Sequence, residues 1–328
     1  MFSSTGRYAR NVRTVSEGQR HVNQHPDPAN DPPPNQGDWP SYWRTFCASP
    51  AMRELDVALR LDGALSLRAS VLSELSGYFG CSEADALDRC INWGKYFDAE
   101  WDAAPDPAQF HRSTQSSSFS LLWVAYLQAE SYYWPTHVGI AQEIARLAPP
   151  PGEHLDFGSA VGVKSQIFAQ LGYSTTLADI STTMLDFAKH RFARRAVSAT
   201  FIDLNAREVP CEAYDVVTAT DVLSLVPDFA GTVRTLHGAM REGGLLYTNI
   251  SGRPAKDARW QLHDNDLPLR RELRQLGFEP VRNPAGNLYR KVSHHRWHHD
   301  VRDAVLFSPL RTCYRRLRHP LPVIRGRR

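Results

Sequence analysis

The chain has no apolar run near the roughly 20 residues that a membrane-spanning helix needs. The nearest, Leu121 to Leu127, is short and followed by polar groups. The first ten residues, MFSSTGRYAR, lack the apolar stretch of a secretory signal, so the expectation is a cytoplasmic protein that makes no use of a membrane. Cysteine is sparse. Cys47, Cys81, Cys90, Cys211 and Cys313 are scattered, odd in number and without a CxxC pair, which suits a reducing compartment and predicts no metal site. No internal repeat is present. What remains is a soluble globular composition, 42% hydrophobic and 22% charged over 328 residues, long enough for two domains or for one with a sizeable extension.

Charge is unevenly placed. From Arg290 onward there are 11 Lys and Arg against two Asp, leaving 27 basic and 33 acidic residues in the rest of the chain. The body is mildly acidic and the last stretch, 294–328, is a basic tail. Its HHRWHHD segment places His294 and His298, and His295 and His299, four apart. That spacing pairs ligands only on a helix, and no helix start precedes it, so a solvated basic surface is expected in place of a metal site. The tail contains no recognised nucleic-acid reading module, and a nucleic-acid partner is not expected.

Residues 1–40 are polar, and HPDPANDPPPNQGDWP carries six prolines, which remove the amide donors that a helix or central strand requires. A disordered arm is the expectation there. From 41 to 150 the apolar spacing is helical, as in SPAMRELDVALRL and RASVLSELSGYF, and CSEADALDRCINWGKYF opens on a serine suited to an N-cap. This segment is read as a helical lid or substrate domain. Its aromatic residues include Trp93, Tyr96, Phe97, Trp101, Trp123, Tyr126, Tyr132, Tyr133 and Trp134. They either pack the helices together or face a ligand. Ser116, Ser117 and Ser118 form either a polar inner wall or an exposed loop.

Beyond the prolines at 149–151 strands and helices alternate. Strands are predicted near 153–157, 174–179, 199–203, 214–220 and 244–250, and helices near 162–171, 183–194, 229–240 and 265–276. Such alternation predicts an α/β fold with a mostly parallel sheet over 151–293. The closing GFEPVRNPAGNLYRKVSHH reads as an antiparallel hairpin on the sheet's edge.

Parallel sheets bind ligands beyond the carboxyl ends of their strands, where strand order reverses, and the first strand-to-helix turn normally lies there. Here that turn is HLDFGSAVGVKS, residues 154–165. Gly158 would let the backbone approach a ligand, and Gly162 would let the loop turn into the helix near Val163. Asp179 closes the second strand, 23 residues past Asp156, where an acid can accept both ribose hydroxyls of a nucleoside. An acid in that role is expected to find its hydrogen bonds only in the complex. Asp203 and Leu204 close the third strand, where an acid can bind an adenine amino group and an apolar side chain can cover the ring. Asp156 and Asp179 read alternatively as caps on strand ends, and Met184, one turn from Phe187 and Ala188, as core.

Taken together, LDFGSAVG, LADISTTMLDFA, FIDLN, YDVVTATDVLSLVPDF and REGGLLYTNI stand in the order of the class I S-adenosylmethionine-dependent methyltransferase motifs, and residues 153–292 resemble that family. The resemblance implies a Rossmann-like sheet and S-adenosylmethionine as cofactor. It implies that Gly158 and Gly162 border the methionine part, Asp156 orients its amino group directly or through water, Asp179 holds the ribose, and Asp203 with Leu204 holds the adenine. Ser159, Ile180 and Thr220 complete the expected cofactor contacts. Asp221, after the fourth strand, would face the methionine end. Asp221, Tyr132 and Tyr133 are the candidate bases.

Two departures stand out. Ala160 occupies a position where the family usually has glycine. Ser224 and Leu225 replace the acid and histidine that many small-molecule members carry after the fourth strand. Methyl transfer to a small molecule is the leading expectation, most of the rate coming from positioning in a dry site. The alternative keeps the cofactor as sole substrate. Some proteins of this fold resemble methyltransferases yet cyclise S-adenosylmethionine to azetidine-2-carboxylate and methylthioadenosine. A third reading is a non-catalytic protein that binds S-adenosylmethionine or associates with nucleic acid. Oligomeric state is left open by the sequence.

Overall fold

Asp156 and Thr218 lie side by side in the centre of a seven-stranded sheet, because the strands that carry them are neighbours although 62 residues separate them. The computed structural model describes residues 50–92, 99–104, 106, 110, 122, 125, 126, 134–249, 262, 263, 267–282 and 287–292. Its strands are β1 (Glu153–Phe157), β2 (Ser174–Asp179), β3 (Thr200–Asp203), β4 (Tyr214–Ala219), β5 (Met240–Thr248), β6 (Phe278–Pro280) and β7 (Leu288–Lys291). They lie in the order β3-β2-β1-β4-β5-β7-β6. The first five run parallel, and β7 pairs antiparallel with both β5 and β6. The closing hairpin thus folds back, with β7 inserted next to β5 and β6 at the edge. Strand order reverses between β1 and β4, which opens a crevice above their carboxyl ends.

The described helices are α1 (Pro50–Ala58), α2 (Leu67–Phe79), α3 (Glu83–Ile91), α4 (Trp134–Leu147), α5 (Val163–Gln170), α6 (Thr182–Arg194), α7 (Phe229–Ala239) and α8 (Leu267–Gln275). Local chemistry sets several ends. Ser66 accepts the Ala69 amide at the start of α2, which stops at Gly80 in the left-handed conformation. Ser82 caps α3 through the Asp85 amide, as its sequence predicts. Ser181 and Asp228 cap α6 and α7 in the same way. β5 begins four residues earlier than the apolar run suggests. Met240 pairs with Tyr214, and the ladder then shifts before Leu245 pairs with Val216, an irregularity that Gly243, at φ +79°, accommodates.

Side chains along β4 and β5 alternate between two cores, as a two-residue period requires. Val216 and Leu245 point into a core formed with α2, α3, α4 and α5, and Val217 and Leu246 into one formed with α7 and α8. Leu177, Leu185, Ala188 and Phe192 form a third cluster between β2 and α6. Lys291, buried at the end of β7, donates to the carbonyls of His237 (3.0 Å) and Met240 (2.8 Å), a cation placed at the negative end of α7.

Across residue 150, where a division between a helical lid domain and the sheet domain is expected, the described helices share a core with the sheet. Val71 and Leu75 of α2 and Ala86 of α3 belong to the same core as Val161, Ile167 and Phe187 of the sheet region. The described residues up to Lys291 form one compact unit. Glu74 of α2 is fully buried and pairs with Arg191 (Nε to Oε2, 3.0 Å) and Arg195. Two of the aromatic residues singled out above are packing groups: Trp101 stands edge-on to Phe110 at 5.1 Å, and Tyr126 is buried under the Arg68 guanidinium. Trp93, Tyr96, Phe97, Trp123, Tyr132 and Tyr133, the serines 116–118, the arm at 1–40 and the basic tail lie outside the described residues.

Phe168 locks α5 against β1, stacking on His154 at 3.8 Å between ring centres and meeting Tyr173 edge-on at 5.2 Å. Phe168→Ala is expected to cost about 3–5 kcal/mol of folding stability, read by urea unfolding. A loss below about 1 kcal/mol would show that the site collapses around the missing ring.

Candidate functional site

The turn after β1 is built on one carbonyl and one carboxylate. The Ala178 carbonyl of β2 accepts the amides of both Gly158 (2.8 Å) and Ser159 (3.2 Å). Asp179 Oδ2 accepts the Ala160 amide at 2.8 Å, and Oδ1 accepts the Ser181 amide at 2.8 Å. Gly158 lies at φ +66°, and a side chain there would collide with Val222. Gly162 lies at φ +74° with Leu177 only 2.7 Å from where a Cβ would stand. Ala160, where a glycine is usual in the resemblance, nevertheless takes φ +50°. That conformation costs an L-residue roughly 1–2 kcal/mol, offset here by the carboxylate bond to its amide.

A cavity of about 1140 Å³ opens above the carboxyl ends of the strands, lined among others by Gly158, Asp179, Ile180, Leu204, Thr220 and Asp221. Six residues expected at the site are therefore brought together. Met184 lines the cavity and is also buried in the core, so its two readings coincide. Thr220 Oγ1 is buried without a partner, and so is Ser159 Oγ in the neighbouring turn.

Asp156, expected to orient the ligand directly or through water, is not among the lining residues of the cavity. It is fully buried, and both its oxygens are engaged, by Ser165 Oγ at 3.0 Å and Thr218 Oγ1 at 2.8 Å. Thr218 has one hydroxyl proton and gives it to Asp156. The 3.0 Å contact from His154 Nε2 to the same oxygen is therefore a donation, which fixes the imidazole tautomer. Burial pushes the Asp156 carboxyl up, against the Lys164 charge and these hydrogen bonds, and burial together with Lys164 holds His154 well below the usual imidazole range.

Asp203, Gly162 and Ser159 also stand outside the lining. Asp203 Oδ1 accepts the Asn205 amide (2.9 Å) and Asn205 Nδ2 (2.7 Å), shaping its own loop, while the next residue, Leu204, reaches the cavity. Asn205 Nδ2 also bonds the Ile180 carbonyl at 2.7 Å and so ties the ends of β2 and β3 together.

At the other end of the cavity Asp221 adopts φ +57° and is held by Asn249 from the end of β5. Its amide donates to Asn249 Oδ1 (2.8 Å), and Asn249 Nδ2 donates to Asp221 Oδ1 (2.6 Å). An amide can only donate and a carboxylate only accept, so this pair sets the orientation of Asn249 uniquely. Leu225, which replaces the histidine of many small-molecule members, lines the cavity. The Ser224 carbonyl accepts the amides of Leu262 (2.7 Å) and His263 (3.2 Å), and His263 Nε2 donates to the Val226 carbonyl at 2.9 Å. Leu262 thereby lines the cavity from a segment in which the sequence shows no motif. Asn249 lies in the fifth motif, REGGLLYTNI, but one asparagine closing a strand carries no spacing signal for this contact.

A family model described as a methyltransferase domain matches residues 136–301, half of the chain. The chain belongs to this methyltransferase-domain family. Among curated relatives, the ubiquinone biosynthesis O-methyltransferase of Xanthomonas campestris pv. campestris is 25% identical over 153 residues, 44% of this methyltransferase-family chain and 64% of the relative. That of Colwellia psychrerythraea is 30% identical over 105 residues, 31% and 43% of the two chains. The match thus spans less than two thirds of these relatives' length. Two solved structures are similar to parts of the chain. The 1,6-didemethyltoxoflavin-N1-methyltransferase of Burkholderia thailandensis has TM-score 0.38 and 17% identity, covering 48% of this chain and 79% of its own. Phosphoethanolamine N-methyltransferase 2 of Haemonchus contortus has TM-score 0.44 and 18% identity, covering 55% and 46%.

Asp179 is 8% exposed, and burial pushes its carboxyl up to about 6 from 3.8 against three backbone amide bonds that pull it down. Its stabilising contribution is therefore fully present below pH 3.8 and is lost as pH rises through about 6. A carboxyl-carbon NMR titration of the ligand-free protein is expected to give Asp179 a midpoint near 6. An ordinary carboxylate midpoint would show that the amide bonds outweigh burial.

Proposed function

We propose that the protein transfers a methyl group from S-adenosylmethionine to an oxygen of a small-molecule acceptor. The observation that carries this reading is the cavity above the strand ends, in which Gly158, Asp179, Ile180, Leu204, Thr220 and Asp221 meet from four separate strand ends. The residues fit the cofactor. Asp179 Oδ2 and Oδ1 take the Ala160 and Ser181 amides, and acceptor capacity that the backbone amides leave over is directed to a ribose hydroxyl. Leu204, Ile180 and Met184 offer apolar surface to an adenine ring, and the unpartnered Thr220 hydroxyl gains a partner from a polar ligand. Family membership and the names of the oxygen-methylating relatives support the reaction type.

The expectation that Asp179 finds its hydrogen bonds only in the complex is replaced by a double role. It shapes the turn through Ala160 and Ser181 before any ligand arrives, and its remaining acceptor positions face the ligand.

S-adenosylmethionine supplies an electrophilic methyl group on a sulfonium. Asp221, held by Asn249 at the cavity wall, accepts the proton of an acceptor hydroxyl as its oxygen becomes the nucleophile. Leu225, Val226 and Leu262 surround that end with apolar surface, which excludes water and keeps the acceptor aligned. Among the described residues no contact singles out cyclisation of the cofactor.

Incubation with S-adenosylmethionine and a panel of small hydroxylated acceptors, followed by mass spectrometry, tests the proposal. S-adenosylhomocysteine that appears only when an acceptor is present supports it. Methylthioadenosine formed with no acceptor would replace methyl transfer by cyclisation. Asp221→Asn keeps the tolerance for positive φ and one oxygen for Asn249, and is expected to lower kcat by about 10²–10⁴-fold with cofactor affinity unchanged. An unchanged kcat would remove Asp221 from proton transfer.

A further inference from the structure

The Ala160–Val161 turn is gripped from two sides. Asp179 holds the Ala160 amide, and Arg191 Nη1 donates to the Val161 carbonyl at 2.8 Å. The Arg191 side chain is 2% exposed and its Nε pairs with Glu74 Oε2 at 3.0 Å, while the other Glu74 oxygen takes Arg195. Arg195 also reaches back to the Leu59 carbonyl at 2.9 Å. A buried carboxylate of α2 thus reaches, through a single guanidinium, the Val161 carbonyl, directly after Ala160, the one residue of the turn that holds a left-handed backbone without being glycine.

Buried ion triads are weak contributors to stability. Well-packed apolar replacements are often neutral or stabilising, whereas removal of one partner is costly. A triad whose central arginine also ties down a cofactor-proximal carbonyl has a use that apolar packing cannot supply. We propose that Glu74 and Arg191 are positioning residues: they preset the Ala160–Val161 turn, and through it α2 governs affinity for the adenosyl ligand. The second clause rests on the function proposed above; the first does not.

The experiment compares the wild type with the triple variant Glu74→Leu, Arg191→Met, Arg195→Leu, and with Arg191→Lys. Lysine keeps the charge but has one head group, so it cannot serve Glu74 and the Val161 carbonyl with the geometry of a guanidinium fork. The readouts are residue-resolved amide exchange without ligand, thermal unfolding, and calorimetric binding of S-adenosylhomocysteine. In the triple variant, amides of Ala160 and Gly162 should exchange at least ~10-fold faster, with those of β1 and β4 unchanged, and Kd should rise at least ~10-fold while Tm stays at or above the wild-type value. Arg191→Lys should move exchange and Kd in the same direction, and it decides the matter if the triple variant does not fold. Wild-type exchange and affinity in the folded variants would overturn the proposal. Faster exchange with unchanged affinity would overturn its second clause. If the wild type itself binds no S-adenosylhomocysteine while exchange still accelerates in the variants, the proposed function fails and the positioning role stands.

Discussion

One carboxylate organises the carboxyl edge of the sheet. Asp179 ends β2, and its two oxygens reach in opposite directions, to the Ala160 amide in the turn after β1 and to the Ser181 amide at the start of α6. Without it the Ala160 amide would be buried unpaired and the turn would have no reason to keep its left-handed step. Gly158, Ile180 and Ser181, all at the cavity wall, stand where they do because this group is in place. The cost is a buried acid whose charge burial opposes, and the backbone amides that soften the cost are the ones it organises.

Behind that edge the molecule is more continuous than its sequence rhythm suggests. Helical spacing up to residue 147 and strand–helix alternation beyond it look like two domains, yet the same apolar core receives Val71 and Leu75 from α2 and Val216 and Leu245 from the sheet. A parallel sheet needs helices on both faces. On one face those helices come partly from the N-terminal segment, on the other from α7 and α8.

The order and span of the sheet elements were legible because each strand is a short apolar run closed by an acid or a turn. β1 and β2 coincide with their predicted bounds, and α6 and α7 begin or end within one residue of theirs. Legibility faded where a function depends on a partner distant in sequence. A strand-end aspartate looks the same whether it faces a cavity, as Asp179 does, or is enclosed by Ser165 and Thr218, as Asp156 is. Period and spacing report which face a residue occupies, not whether a neighbouring strand brings a hydroxyl to meet it. Asn249 and Leu262 escaped notice for the same reason, since their significance lies in Asp221 and Ser224, which they reach only after folding. Proline-rich punctuation at 149–151 marks a change of local structure and says nothing about where a core ends.

The left-handed backbone at Asp221 narrows what can ever stand there. Glycine, asparagine and aspartate accept such a conformation readily, and β-branched or bulky side chains do not. This corner of the cavity is consequently closed to most exchanges of chemistry. Diversification of the acceptor end must proceed through its looser neighbours, Leu225, Val226 and Leu262, whose apolar side chains can change size without disturbing the backbone that presents the acid.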